Sequence, residues 1–399
     1  MVSDLSIASV CRTLPTPDDP ASGVFVMRRL AALASKSRLH VIQPMPYFPI
    51  VRPLPTWAKS EKHVAEGADV FHAPMFYVPK FLKTLDSYWL YRSVIRKLAE
   101  LKNMDRLDVI DAHFGYPDGV GCLRAARELK VPVVITIRGV EEDHLQVPAI
   151  AKQIRAALKH ADGCICVSHS LKEIAIEAGA SEARTQVIHN AVNRGVFAPG
   201  SRSEARAALN IGDGDALVVS VGNLLSVKCH DVLIAAFAKL QGTIGNARLV
   251  IIGGAMHEPE HPKKLRELCG SLGIAERVTF IGRIDETGVA TWLKAADVFA
   301  LASRREGCCN AIIEALASGL PVVTTPVGDN TWFVRDGQNG YIVPVRDSDA
   351  MARALEKALE CEDWDRHSIS SELHVGDWDS VALKVLCFFQ ERIGEGFRK

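Results

Sequence analysis

Short apolar runs rich in β-branched residues recur along most of this chain, each followed by an amphipathic stretch. In the first half they are Ser6–Val10, Leu39–Gln43, Val109–Ala112, Val133–Ile137, Cys164–Val167 and Val187–His189. A second series comprises Leu217–Val221, Leu249–Ile252, Val278–Ile281, Val298–Leu301, Val322–Thr325 and Tyr341–Val343. Between them lie helical patterns such as Val24–Ser35, Gly119–Leu129, Val232–Leu240, Lys263–Leu272 and Asp349–Leu359. A strand that is apolar throughout has no face suited to water, so alternation with helices predicts parallel sheets covered on both sides. Two such series predict two doubly wound α/β domains. The turn-rich segment Asn193 to Ser203 separates them. The expected limits are 1–195 and 204–377, with an amphipathic helix beginning at Trp378. Ligands of such sheets bind at the carboxyl ends of the strands, and a cleft between two facing domains is the default site.

Composition narrows the function. A chain of 399 residues is too long for one ordinary core. Zero net formal charge argues against general nucleic-acid binding, which leans on excess Lys and Arg. The ten cysteines include no Cys-x-x-Cys pair, so neither a zinc ribbon nor a thioredoxin-type site is readable. Reduced, buried thiols in a cytoplasmic compartment are expected. The start enters a strand directly and shows no signal-peptide pattern. No apolar run approaches the length of a spanning helix.

The chemistry concentrates at Glu306-Gly-Cys-Cys-Asn-Ala-Ile-Ile-Glu314. Glu306 belongs to a polar loop after the strand Val298–Leu301, and Glu314 to the apolar helix Asn310 to Ala317, which stops at Gly319-Leu-Pro321. If all eight steps between them were helical, they would rise roughly 12 Å. Carboxylates so spaced can take opposite ends of one extended polar ligand. The amides at the helix start suit an anion.

This pattern, with its following Gly-x-Pro-Val-Val strand and Pro326-Val-Gly328, resembles the donor site of family 4 glycosyltransferases. These are retaining enzymes of the GT-B fold, two Rossmann-like domains facing across a cleft. The resemblance implies that Glu306 contacts the transferred sugar and Glu314 the ribose hydroxyls. It makes Gly307, Cys308, Cys309 and Asn310 the phosphate cradle. Val221-Gly-Asn-Leu-Leu-Ser-Val-Lys-Cys-His resembles the family's Gly-Arg-Leu…Lys-Gly segment. Gly222 and Lys228 match; Asn223 stands where arginine is usual, and Cys229 where glycine is usual. Val250-Ile-Ile-Gly253-Gly254 matches the second strand and its turn, and Phe280-Ile-Gly-Arg283-Ile284 the strand whose loop packs on the base.

The first half resembles the family more loosely. Pro17 to Phe25, with Gly23, resembles a glycine loop facing donor and acceptor. Ile135-Thr-Ile-Arg138-Gly-Val-Glu141 stands in the place of Thr-x-His-Gly-x-Asp. Arg138 is expected either to stabilise the leaving diphosphate, offsetting neutral Asn223, or to anchor a local carboxylate such as Glu142. His113 is read both as an acceptor-side residue and as a structural histidine. The resemblance also implies that the C-terminal helix, 378–399, crosses back to the first domain.

Other patterns have plainer readings. His257-Glu-Pro-Glu-His261 fits a zinc-protease string, but its prolines oppose the helix that chemistry needs. Asp347-Ser-Asp349 and Asp363-Trp-Asp365 read as helix caps, so no catalytic metal and no cofactor are expected. Residues 76–104 combine aromatic and basic side chains, which suits an ordinary two-faced helix, contact with an anionic membrane or the holding of a lipid-linked acceptor. The expected activity is retaining transfer of a sugar from a nucleotide-diphosphate donor to a hydroxyl acceptor, either a glycan or a lipid-linked one, without a metal. Exopolysaccharide or lipid-linked glycan assembly is the expected setting. The second reading is a nucleotide-sugar-binding subunit without turnover, motivated by Asn223, Cys229 and Arg138. The expected location is the cytoplasm, at the inner face of the plasma membrane where lipid is involved.

Overall fold

The strands form two separate sheets, each the core of one unit in a computed structural model. It describes residues 4–20, 22–49, 51–59, 62–65, 68–255 and 258–396. Unit 1 comprises Met1–Ala191 with Gly376–Lys399, and unit 2 comprises Val192–Val375. The unit 1 strands are β1 (Ser6–Val10), β2 (Arg38–Tyr47), β3 (Lys62–Ala65), β4 (Ala68–Phe76), β5 (Val109–His113), β6 (Val133–Ile137), β7 (Gly163–Cys166) and β8 (Thr185–Val187). They lie in the order β3-β4-β2-β1-β5-β6-β7-β8. All neighbours are parallel except β3 and β4. Every residue of β1, β5 and β6 is buried, as strands covered on both faces require.

Unit 2 has β9 (Ala216–Val221), β10 (Ala247–Ile252), β11 (Val278–Gly282), β12 (Val298–Leu301), β13 (Val322–Thr324) and β14 (Gly340–Ile342). Their order is β11-β10-β9-β12-β13-β14, all parallel. In each unit the chain first builds outward to one side and then returns to the other side of its first strand. The reversal falls between β1 and β5 in unit 1, and between β9 and β12 in unit 2. The helices that follow the strands on either side of such a reversal lie on opposite faces of the sheet, which leaves a crevice at the carboxyl ends of those strands.

The doubly wound α/β class matches the sequence expectation, but one region differs. No strand was expected between Leu39–Gln43 and Val109, yet β2 runs on to Tyr47 and pairs with β4 through Met45 opposite Pro74 and Tyr47 opposite Phe76. Pro44, Pro46 and Pro74 hid this pairing, because proline lacks an amide for the ladder and reads as a strand breaker. The last strand of unit 1 also ends two residues earlier than expected, at Val187.

The helix Trp378–Gly396 belongs to unit 1. Its Val381, Ala382, Val385, Leu386, Phe388 and Phe389 join Val26, Met27, Leu30 and Leu33 of the helix Val24–Ala34 in one core. Gly163 makes room for it, since a Cβ there would lie 2.7 Å from the Phe388 ring. Phe389→Ala should destabilise unit 1 by about 3–5 kcal/mol, read as a lowered urea midpoint, because the ring is fully enclosed.

Candidate active site

The unit 2 reversal sets the loop after β9 beside the loop after β12. Their backbones are stitched together, Arg304 N–H donating to the Val227 carbonyl at 3.0 Å. The loops after β10 and β11 join them. Gly222 N–H donates to Ile252 O at 2.9 Å, Leu224 N–H to Gly254 O at 3.0 Å and Gly253 N–H to Gly282 O at 2.9 Å. A Cβ on Gly253 would lie 1.9 Å from the Gly222 carbonyl oxygen, so only glycine allows this approach. A Cβ on Gly254 would come within 3.5 Å of Arg283 Nε. Ile284 packs against the core of the unit, and Asn223 is half-buried in the first loop.

Lys228 ends the short 3₁₀ turn Ser226–Lys228, and its Nζ lies 2.7 Å from Glu306 Oε1. Ser303 Oγ donates to the same oxygen at 2.6 Å. Burial works against the lysine's charge, but the Glu306 carboxylate outweighs it and the net shift is upward, so Lys228 stays protonated. Two further residues brace Glu306. Thr325 Oγ1 donates to the Ser303 carbonyl at 2.5 Å. Gly328 has a left-handed φ of 55°, and a Cβ there would lie 2.6 Å from the Glu306 carbonyl oxygen. The sequence expectation gave Lys228 and Glu306 separate ligand contacts; the structure pairs them with each other. Cys229 next to Lys228 takes a left-handed φ of 49°, which explains why glycine is usual at this position of the family pattern.

The helix Asn310–Ala317 begins four residues after Glu306, and Glu314 lies four residues into it. Residues 306–309 are not helical, so the helical rise does not measure the separation of the two carboxylates. Gly307 and Cys308 form the bend before the helix, and Cys309 is its N-cap without a capping side-chain bond. Burial pushes the Cys309 thiol upward, so it stays protonated. The residues the sequence reading missed lie around Lys228. Glu258 accepts from Ser226 N–H and Ser226 Oγ, both at 3.0 Å, and so anchors the turn that carries the lysine. Its signal was present in the zinc-protease string. There the helix starts only at His261, while His257 falls outside the described residues. His230 is enclosed beside this turn, and burial first, then the Lys228 charge, pushes it down to about 3. Asp347 and Asp365 cap the helices Ser348–Glu360 and Arg366–Ser371, as their sequence context suggested.

The unit 1 residues converge on a buried polar chain at the carboxyl ends of β1, β5 and β6. Ser9 Oγ donates to Asp111 Oδ2 at 2.7 Å, and Arg29 Nη2 donates to both Asp111 oxygens at 3.1 and 3.2 Å. His113 Nε2 lies 3.1 Å from Asp111 Oδ2. Arg138 Nε donates to His113 Nδ1 at 3.2 Å, and its Nη1 to Asn190 Oδ1 at 3.3 Å. Since Nδ1 accepts, the His113 proton sits on Nε2 and faces Asp111. Burial, aided by the charges of Arg138 and Arg29, outweighs Asp111 and pushes His113 down to about 4. Burial and then Arg29 bring Arg138 down to about 10, leaving it cationic near neutrality.

Of the two readings of His113, these positions favour the structural one. His113 is wholly enclosed and so presents no surface to an acceptor; it holds Arg138. The Arg138 side chain donates to His113 and Asn190. Glu141 is also buried, accepting from Gly115 N–H at 2.8 Å, Gly139 N–H at 2.8 Å and Arg138 N–H at 3.2 Å, and it shapes the loop after β6. Gly23 has φ 64°, and a Cβ there would lie 2.0 Å from the Thr13 carbonyl oxygen, so the loop after β1 closes only around glycine.

The depressed His113 sets a pH dependence. The unfolded chain takes up this proton near pH 6.5 and the folded chain only near 4, so stability is full above that window and falls as pH drops through it. His230 adds a loss of the same sign. Urea unfolding near neutrality and at about pH 5 should show a smaller loss for His113→Gln than for the parent chain.

Two family models match the chain: Glycosyltransferase Family 4 over residues 23–195 and Glycosyl transferases group 1 over residues 201–372. Between them they take in most of its length. The D-inositol 3-phosphate glycosyltransferase of Mycobacterium marinum is 33% identical over 222 residues, covering 54% of this chain and 47% of its own. The Mycobacterium tuberculosis protein of the same name is 34% identical over 223 residues, covering 54% and 46%. The chain thus spans about half the length of the curated relatives it matches. Among solved structures, sucrose-phosphate synthase from Thermosynechococcus elongatus superimposes with a TM-score of 0.80 at 20% identity, covering 98% of this chain and all of that one. Anabaena HepE in complex with UDP and glucose gives 0.75 at 17% identity, covering 97% and 99%. At such identities the likeness speaks for the fold. The chain belongs to the family 4 glycosyltransferases and has their GT-B fold.

Proposed function

We propose that this protein transfers a sugar from a nucleotide-diphosphate donor to a hydroxyl acceptor with retained anomeric configuration. The observation that carries the reading is the Lys228–Glu306 pair of 2.7 Å at the β9/β12 reversal, four residues before a helix start. A diphosphate at that crevice meets a protonated lysine and the amides of the helix Asn310–Ala317, both aimed where leaving-group charge grows. Glu306, already held by Ser303 and Lys228, would orient the sugar hydroxyls. Glu314 would bind ribose. Gly222, Gly253 and Gly254 let the backbone approach the nucleotide, with Arg283 and Ile284 beside the base. The HepE structures hold UDP and UDP-glucose, which supports a nucleotide sugar, with UDP the first to try.

In the proposed step the acceptor oxygen bonds to the anomeric carbon. The bond from that carbon to the diphosphate breaks, its electron pair leaves with the phosphate oxygen, and that oxygen takes the acceptor proton. Lys228 and the helix amides offset the charge, so the step is proposed to need no metal. Arg138, cationic near neutrality and held by His113, is the cation proposed for catalysis in unit 1.

Turnover of UDP-sugars with a panel of glycan and lipid-linked acceptors, with the product anomer read by NMR, tests this reading. Retention is expected, and an inverted product would overturn it. Lys228→Ala and Glu306→Gln should each lower kcat by about 10²–10³-fold. Glu314→Ala should mainly raise the donor KM. EDTA should leave the rate unchanged. The second reading, a nucleotide-sugar-binding subunit, is favoured by uncharged Asn223; thermal stabilisation by UDP-sugars without turnover on any acceptor would select it.

A further inference from the structure

One surface of unit 1 carries none of the residues assigned to the candidate site. After β4 the chain makes a turn at residues 77–85 and enters the helix Asp86–Asn103. The aromatic side chains of this stretch divide between two environments. Tyr91 is buried, and Trp89 packs edge-on against Phe76 with ring centroids 4.9 Å apart. By contrast Phe81 is 71% exposed, Leu82 59%, Leu85 42% and Tyr88 37%. Lys80 and Leu82 take left-handed φ angles of 64° and 53°, an uncommon conformation for such side chains, so the turn that shows these apolar groups is locally strained. Val51, 71% exposed, lies on a neighbouring loop, because Arg52 and Lys83 both stack on the Tyr77 ring, at 5.6 and 3.5 Å.

Basic side chains outnumber acidic ones around this apolar tip. From Tyr77 to Ala99 the only acid is Asp86, which is buried near Lys83. Lys80 and Arg92 on the same stretch are exposed, Arg96 is exposed but pairs with Glu100 at 3.2 Å, and Arg124 lies 5.3 Å from the Tyr88 ring centroid. We infer that this tip docks on the surface of a bilayer containing anionic lipid, with Phe81, Leu82 and Leu85 inserted at headgroup depth and the basic side chains against the phosphates. No helix among the described residues is long and apolar enough to cross a membrane, so the contact is interfacial. A second copy of the chain fits less well, because a two-fold interface would set this basic collar against its own like. The inference is independent of the transferase reading.

The full chain is floated with vesicles of phosphatidylcholine alone and of phosphatidylcholine mixed with phosphatidylglycerol, at low and high salt. The parent chain should float with the mixed vesicles at low salt, and at least about tenfold less with phosphatidylcholine alone or at high salt. Phe81→Ser with Leu82→Ser should abolish flotation while leaving the urea unfolding curve unchanged, since both side chains are exposed. Lys80→Glu with Arg92→Glu should do the same. No flotation of the parent at low salt, flotation indifferent to acidic lipid, or a serine variant that floats like the parent would overturn the inference. So would concentration-dependent dimerisation that the serine variant loses, which would make a second copy the occupant.

Discussion

The reversal of strand order beside β9 is the constraint on which the candidate site depends. Parallel strands connected through helices bring all their outgoing loops to one edge of the sheet. At the reversal two of those loops become neighbours although Lys228 and Glu306 are 78 residues apart in the chain. There the lysine and the glutamate meet at 2.7 Å with limited access to water. Removing either partner of such a pair leaves the other charge poorly compensated, which is far costlier than the loss of an exposed ion pair. Gly253 and Gly328 serve the same end, since a methyl group at either would push apart the backbones that carry the pair.

Unit 1 treats charge differently. Its polar chain runs from Arg29 through Asp111 and His113 to Arg138, and the enclosed histidine stays neutral between the carboxylate and the guanidinium. Burial alone would raise Asp111, but Arg29 and His113 hold it below the usual carboxylate range. The result is a fixed orientation for Arg138 at the carboxyl edge of β6. Glu141, with three backbone amides on its carboxylate, fixes the loop that follows. Both glutamate-bearing loops, after β6 and after β12, are thus held by local hydrogen bonds before any ligand arrives, which is what preorganisation requires.

Much of the fold was legible because strands buried on both faces must be apolar throughout and are therefore conspicuous. β1, β6 and β12 have the limits expected from their apolar, β-branched runs. The pairing of β2 with β4 was not legible, because three prolines sit within it and its stability comes from neighbours in space. At the site, the Glu306 loop and the helix after it stood out, since a polar run between an apolar strand and an apolar helix is a local pattern. Glu258 and Ser303 did not, because their roles consist of bonds to residues whose proximity the sequence does not state. His113 was ambiguous for the same reason: a histidine after a strand faces either a ligand or the interior, and only the packing of β1 and β6 around it decides.

Sequence by itself determined the two α/β units, the family, and the residue types available at each strand end, because periodicity and short motifs are local properties of the chain. Tertiary structure decided which of those residues meet. Strand order, which no local pattern encodes, joined Lys228 to Glu306 and closed unit 1 around His113. It left Phe81 and Leu82 in the open while burying Tyr91 of the same stretch. Hydrogen bonds and ion pairs act over a few ångströms, so residues distant in the chain acquire roles only once the sheet has set their separation in space.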